Sequence, residues 1–326
     1  MENREIILMP KTYNLKPKVI FMGTPEFGVI ILEELIKGGY PPVLAVTAPD
    51  KPVGRKQILT PPPVKVIAQK YNIPIFQSEK ILNLKSEIFN LKPDLIIVAS
   101  FGQILPKEIL EAPKYGCLNI HPSLLPKYRG AAPIQFAILN GDRKTGVTII
   151  LMDEKIDHGH IVAQKTLAIR EQETAATLHN KLAELGACLL LETIPKWVKN
   201  MIKPKKQEES QATFTKILFK EDGKINWQKP AGEIERKVRA FNPWPGAYSF
   251  ADNKIIKILK VGVLKKTKSG PFGSAGKTYL AADDKIAVQS GDDFIIIEKL
   301  QFEGKKEMGV EDFLRGHSNF IGIILS

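Results

Sequence analysis

Five short apolar runs recur through the first 120 residues, at 18–22, 43–47, 73–76, 94–99 and 117–120, separated by segments that can hold helices. Runs of this length without an alternating polar face read as strands covered on both sides, which is the signature of a parallel sheet. Parallel neighbours need a crossover of a dozen or more residues, and the spacing supplies it. The expected fold class is therefore α/β, with an N-terminal Rossmann-like, mostly parallel sheet carrying helices on both faces. Residues 145–152 and 161–169 read as two later strands, and 175–200 as one long amphipathic helix that closes the domain.

Beyond that helix the pattern changes. Lys196, Lys199, Lys203, Lys205 and Lys206 run into the polar stretch 207–211, a composition suited to a linker. Strand-like runs at 255–259, 285–289 and 294–300 then alternate with Gly, Asp and Lys turns, which predicts a smaller OB-like β-barrel. The layout expected is an extension at 1–17, a catalytic domain at 18–204, a linker at 205–213 and a C-terminal β-barrel domain at 214–326.

Composition narrows the function. Hydrophobic residues at 44% and charged residues at 25% argue against disorder. No run reaches the ~20 apolar residues of a membrane span, and the first 18 residues lack the apolar core of a signal peptide, so a cytoplasmic location away from membranes is expected. Cys117 and Cys188 sit in apolar runs without CxxC spacing, which leaves no basis for a disulfide framework or zinc site. A net charge of +12 points to a polyanionic partner without naming it.

Three stretches carry chemistry. The turn Gly23-Thr24-Pro25-Glu26-Phe27-Gly28 follows the first strand but lacks the G-x-G-x-x-G spacing of a dinucleotide site, and alone it reads as a strand-to-helix turn. Asn119 and His121 stand two apart at a strand end and so share a face, offering an amide donor and an imidazole. Such a pair is more often a satisfied hydrogen-bonding pair than a reacting one, but the proline-flanked, partly apolar loop Ser123-Leu124-Leu125-Pro126 beside it can wall a flat aromatic ligand. Asp157, in the turn Asp157-His158-Gly159-His160, is placed to pair with His121, although an Asp before a glycine turn is usually a turn residue. His158 and His160 lack further Cys or His at metal-ligand spacing, so no metal is expected.

Together these stretches resemble the folate-dependent formyltransferase family, whose members share an Asn, a His and an Asp in this order with a Ser-Leu-Leu-Pro loop. The resemblance covers nearly the whole chain. Arg129-Gly130-Ala131-Ala132-Pro133-Ile134-Gln135, the loop from Ala48 to Arg55 and Ala240-Phe241-Asn242-Pro243-Trp244-Pro245-Gly246-Ala247-Tyr248 are similar to those of the members that act on methionyl-tRNA. One departure is the turn after Asp157, where the family often has a threonine and an aspartate and this chain has His158 and His160. The resemblance implies 10-formyltetrahydrofolate as formyl donor and initiator methionyl-tRNA as acceptor, with the protein acting as a monomer. It implies that Asn119 and His121 donate to the developing oxyanion, that Asp157 holds His121 and helps proton transfer, and that Ser123, Leu124, Leu125 and Pro126 contact the folate. Arg55, with Lys51 and Lys56, would enter the acceptor end of the tRNA. Lys254, Lys257, Lys260, Lys265, Lys266 and Lys268 would add phosphate contacts from the second domain. Rival readings are a formyltetrahydrofolate hydrolase or sugar-nucleotide formyltransferase on the same scaffold, and an RNA-binding protein without catalysis.

Overall fold

The computed structural model describes residues 16–54, 56–265 and 273–326. The first domain runs β1 (Val19–Gly23), α1 (Glu26–Lys37), β2 (Leu44–Thr47), β3 (Lys51–Val53), β4 (Ile58–Thr60), α2 (Pro63–Lys70), β5 (Ile75–Gln77), α3 (Lys85–Leu91) and β6 (Leu95–Ala99). It continues through α4 (Lys107–Leu110), β7 (Cys117–His121), β8 (Arg129–Gly130), α5 (Pro133–Leu139), β9 (Lys144–Leu151), β10 (His160–Ala168) and α6 (Ala175–Val198).

Seven of these strands form one sheet in the order β10-β9-β7-β6-β1-β2-β5. The five from β5 to β7 are parallel, as the apolar runs predict, and β9 and β10 join antiparallel as a hairpin. Side chains alternate between the faces along each strand. Val19 and Phe21 pack beneath α1 and α6 with Ile31, Leu35 and Leu182, whereas Ile20 and Met22 face the opposite side with Ile88 and Ile109. The sheet is thus covered twice, which is why its central strands show no polar stripe. The helix α6 lies close to it because Gly186 has no side chain; a Cβ there would stand 2.8 Å from Ile120 Cγ2.

The second domain contains β11 (Phe214–Thr215), α7 (Ala231–Ala240), β12 (Tyr248–Ala251), β13 (Lys254–Leu264), β14 (Thr278–Ala281), β15 (Lys285–Gln289), β16 (Phe294–Phe302), β17 (Met308–Gly309) and α8 (Val310–Gly316). Strands β12, β13, β16, β15 and β14 pair antiparallel in that order, with β17 beside β16, in a curled sheet. Its two edges meet through the last residues of the chain. Thr278 and Gly276 donate to and accept from Ile323 and Leu325 on one side, and Phe250 and Ser326 exchange main-chain bonds of 2.9 and 3.1 Å on the other. Trp227, Ile256, Ile297, Phe313 and Leu325 fill the interior. This is the OB-like barrel that the short strands predict.

The domains share buried surface. Leu218, Ala240 and Phe241 of the second domain pack into the apolar core of the first. Arg236 Nε donates to Leu139 O (3.0 Å), Arg239 Nη1 to Glu173 O (2.9 Å) and Ala176 N to Asn242 O (3.2 Å).

Candidate active site

In an open α/β sheet the crevice for ligands lies outside the carboxyl ends of the strands, near the point where strand order reverses. Here β1 is flanked by β2 on one side and β6 on the other, and β7 adjoins β6. The carboxyl end of β7 carries Asn119 and His121. Leu118 and Ile120 are committed to the core beneath α1 and α6, so period-two alternation turns Asn119 and His121 together onto the other face.

Asp157 meets both of them. Its Oδ1 accepts from Asn119 Nδ2 at 3.3 Å and stands 3.5 Å from His121 Nδ1, and its Oδ2 accepts the Gly130 N–H at 2.8 Å. Asp157 has a left-handed backbone, φ 49°, which suits the turn residue its sequence context suggests, while its carboxylate is directed into the site. His121 is buried at 4% exposure, and its Nε2 lies 2.9 Å from Tyr128 O. A nitrogen facing a carbonyl must carry a proton, so Nε2–H is the donor and Nδ1 is the edge turned to the carboxylate. Tyr128 is in turn held by its phenol, which donates to Asp142 Oδ2 (2.7 Å) and accepts from Asn140 Nδ2 (3.0 Å). Burial pushes that phenol up to about 12, so it stays a neutral donor.

The loop after β7 is tied down by buried hydrogen bonds. Ser123 is fully buried and its hydroxyl donates to Lys127 O (2.6 Å), so it braces the loop from inside. Leu125 is buried as well; its N–H donates to Thr148 Oγ1 (3.1 Å) and its carbonyl accepts from Gln164 Nε2 (3.0 Å). Leu124 and Pro126 are half-buried and are the two side chains of this run that keep open surface.

Lys51 and Lys56 lie elsewhere, on the hairpin of β3 and β4, whose residues Val53, Ile58 and Leu59 are exposed. Both lysines are exposed, and Arg55 lies outside the described residues. The base of the hairpin is fixed by Asp50, which pairs with Lys65 Nζ at 2.8 Å and accepts from Gln77 Nε2 at 2.8 Å. These bonds, that from Lys65 first, hold the Asp50 carboxyl below its ordinary 3.8. Of the second-domain lysines, Lys254 and Lys257 are exposed and Lys260 pairs with Glu298 (2.7 Å). Lys265 is also exposed, and Lys266 and Lys268 lie outside the described residues.

Sequence reasoning missed the residues that hold Asp157. Arg129 is 2% exposed and Gln207 4% exposed, and they bond to one another across 78 positions. Arg129 also forms a bidentate pair with Glu209, at 3.0 and 2.7 Å. Glu209 Oε1 lies 3.4 Å from His158 Nε2, and His158 Nδ1 lies 2.5 Å from Asp153 Oδ2. His158, which departs from the family's usual residue, therefore has carboxylate partners on both ring nitrogens. Gln207 and Glu209 occur in a polar, charged run whose only legible property is its hydrophilicity. Among the described residues, no three His, Cys, Asp or Glu side chains gather into a group able to hold a metal ion.

Comparison with known proteins agrees with this architecture. Residues 17–194 match the formyl transferase family and residues 217–318 its C-terminal domain. The chain is 46% identical over 313 residues to a protein of Bacillus velezensis named methionyl-tRNA formyltransferase, covering 94% of this chain and 97% of that one. It is 42% identical over 311 residues to the protein of the same name from Caldanaerobacter subterraneus subsp. tengcongensis, covering 94% and 99%. Among solved structures, WlaRD, a sugar 3N-formyl transferase, aligns with a TM-score of 0.63 and 23% identity over 89% of this chain and 99% of that one. HypX of Aquifex aeolicus aligns with a TM-score of 0.61 and 19% identity over 94% of this chain; the chain spans 47% of HypX. Those two likenesses concern the fold alone. With both of its domains matched, and with such relatives along nearly its full length, the chain belongs to the formyl transferase family.

Proposed function

We propose that the protein transfers the formyl group of 10-formyltetrahydrofolate to the α-amino group of methionine on initiator methionyl-tRNA, for translation initiation. The observation that carries this reading is the end-to-end similarity to proteins named methionyl-tRNA formyltransferase, over 94% of the chain and both domains. The proposal includes a cytoplasmic monomer that needs no metal. Among the described residues no helix is long and apolar enough to cross a membrane.

The reaction forms a bond from the methionine nitrogen to the formyl carbon and then breaks the bond from that carbon to the folate nitrogen. One proton must leave the amine and one must reach the folate nitrogen. Asn119 has two amide hydrogens and gives one to Asp157; the other serves as donor to the oxyanion that develops on the formyl oxygen. Asp157, with 13% of its side chain exposed, is open enough to take the proton of the attacking amine, directly or through one water, and to return it by the same route to the folate nitrogen as the carbon–nitrogen bond breaks. With its Nε2–H given to Tyr128 O, His121 serves in its imidazolium form, donating from Nδ1 toward Asp157 at 3.5 Å and toward the developing oxyanion. Leu124 and Pro126 offer apolar surface to the flat folate, with Ser123 and Leu125 fixing their positions. Lys51 and Lys56 on the hairpin reach the acceptor end, together with Arg55, which follows Gly54 in the sequence, and the second domain's lysines hold the tRNA backbone.

The test is an assay with purified initiator methionyl-tRNA and 10-formyltetrahydrofolate, run beside a control without tRNA and one with an amino-sugar nucleotide. Formyl transfer to the tRNA at rates far above release to water or sugar is the expected result. Release to water alone, undiminished without tRNA, would make the protein a hydrolase.

A further inference from the structure

The segment that joins the domains also grips the candidate active site. Lys205 exchanges main-chain bonds with Ile161 (2.8 and 2.7 Å), Arg129 N donates to Thr213 O (2.9 Å), and β11 pairs with β8. Between these two anchorages the Gln207 side chain turns inward. Its Oε1 accepts from Arg129 Nε (3.1 Å) and Nη2 (2.9 Å), and its Nε2 donates to the main-chain oxygens of Asp157 and Gly159, both at 2.8 Å. A side-chain amide has two donor hydrogens and two acceptor lone pairs. All four are used.

The outcome is a clamp on Asp157 from two directions. Its main chain, in the left-handed conformation that Asp takes up in turns, is held by Gln207. Its carboxylate is held by the N–H of Gly130, the neighbour of Arg129. Gly130 has φ 106°, and a Cβ there would stand 2.7 Å from Thr215 O, so the joining segment presses on this point too. Arg129 connects both holds, because its guanidinium is fixed by Gln207 and Glu209.

We infer that Gln207 is a positioning residue for formyl transfer, holding the Asp157 main chain so that its carboxylate stays directed at Asn119 and His121. The inference rests on the reading of Asp157 given above. Reacting groups displaced by about an ångström lose on the order of a hundredfold in rate, so a saturated amide at this point controls turnover without touching either substrate.

Two substitutions separate this from a merely structural role. Gln207→Glu keeps an acceptor for Arg129, and so the buried contact that supports the fold, but sets an oxygen against the two carbonyls. Gln207→Met removes all four bonds at similar volume. In the folded variants kcat should fall by about tenfold or more, while directly measured binding of tRNA and of folate stays within about twofold. In an Asp157→Ala background the same change should cost less than about twofold further, because the group it positions is gone. A wild-type kcat in folded Gln207→Glu, or an equal loss with and without Asp157, overturns the proposal. Failure of the functional reading itself would show separately, as absence of formyl transfer by the wild-type protein.

Discussion

At the scale of single residues, Asn119 and His121 converge on the Asp157 carboxylate, the first through a hydrogen bond and the second at 3.5 Å, and loss of any one should disable the others' work. Asn119→Ala, His121→Ala and Asp157→Ala are each expected to lower turnover by at least ~100-fold with the fold retained, as for loss of one preorganised donor or the group that orients it. The triple variant should lose far less than the product of the three single losses, which steady-state assays on initiator methionyl-tRNA would measure directly. Near-normal turnover in Asn119→Ala would remove that residue from the mechanism. Much of this unit was legible beforehand. The spacing of two between Asn119 and His121 fixes a shared face wherever the strand lies, and Asp157 as partner of His121 followed from the motif order. Gln207 was not legible, because a buried amide in a hydrophilic run leaves no periodicity; only the folded chain shows that Arg129 requires an acceptor there.

At the scale of elements, the β3–β4 hairpin is the part furthest from its sequence reading. The sequence reads there only as a loop carrying Lys51, Arg55 and Lys56, yet 51–53 and 58–60 pair as two three-residue strands with outward apolar side chains, a register that such short strands do not announce. Lys65, at the start of α2, is committed to Asp50. Because the folded carboxyl of Asp50 titrates below its ordinary 3.8, the pair stabilises the protein above that value and stops doing so as pH falls through the folded value. Thermal unfolding of wild type and Asp50→Asn should therefore differ at neutral pH and converge in acid below 3.8. A constant difference across that range would mean the bonds, and not the charge, matter. The hairpin's proposed role is tested by Arg55→Ala, which should impair formylation of tRNA far more than folate binding. The impairment should differ between initiator tRNAs with a mismatched and a paired acceptor end, since opening a strong pair opposes an inserted loop. Equal losses on both would make Arg55 a general phosphate contact.

At the scale of the whole molecule, the excess charge was legible as a number but not as a distribution. Replacing Lys254, Lys257 and Lys265 together by Gln should shallow the dependence of tRNA affinity on salt, by roughly 0.7–0.9 logarithmic units per lost phosphate contact, and leave folate binding unchanged. An unchanged slope would make them ordinary solvated lysines; Lys260, already paired with Glu298, should contribute least. Architecture was legible more fully than charge, because apolar runs covered on both faces allow few arrangements. What the runs did not disclose is how the two units depend on each other. Phe241 is 3% exposed and belongs to the interior of the first domain although the chain reaches it only after that domain's last helix. During synthesis on the ribosome, then, the first domain emerges with a socket still open and completes its interior only when residues 218–241 arrive. A nascent chain stalled before that point should remain sensitive to protease and available to chaperones, and it should close once the aromatic ring that belongs to it has been delivered.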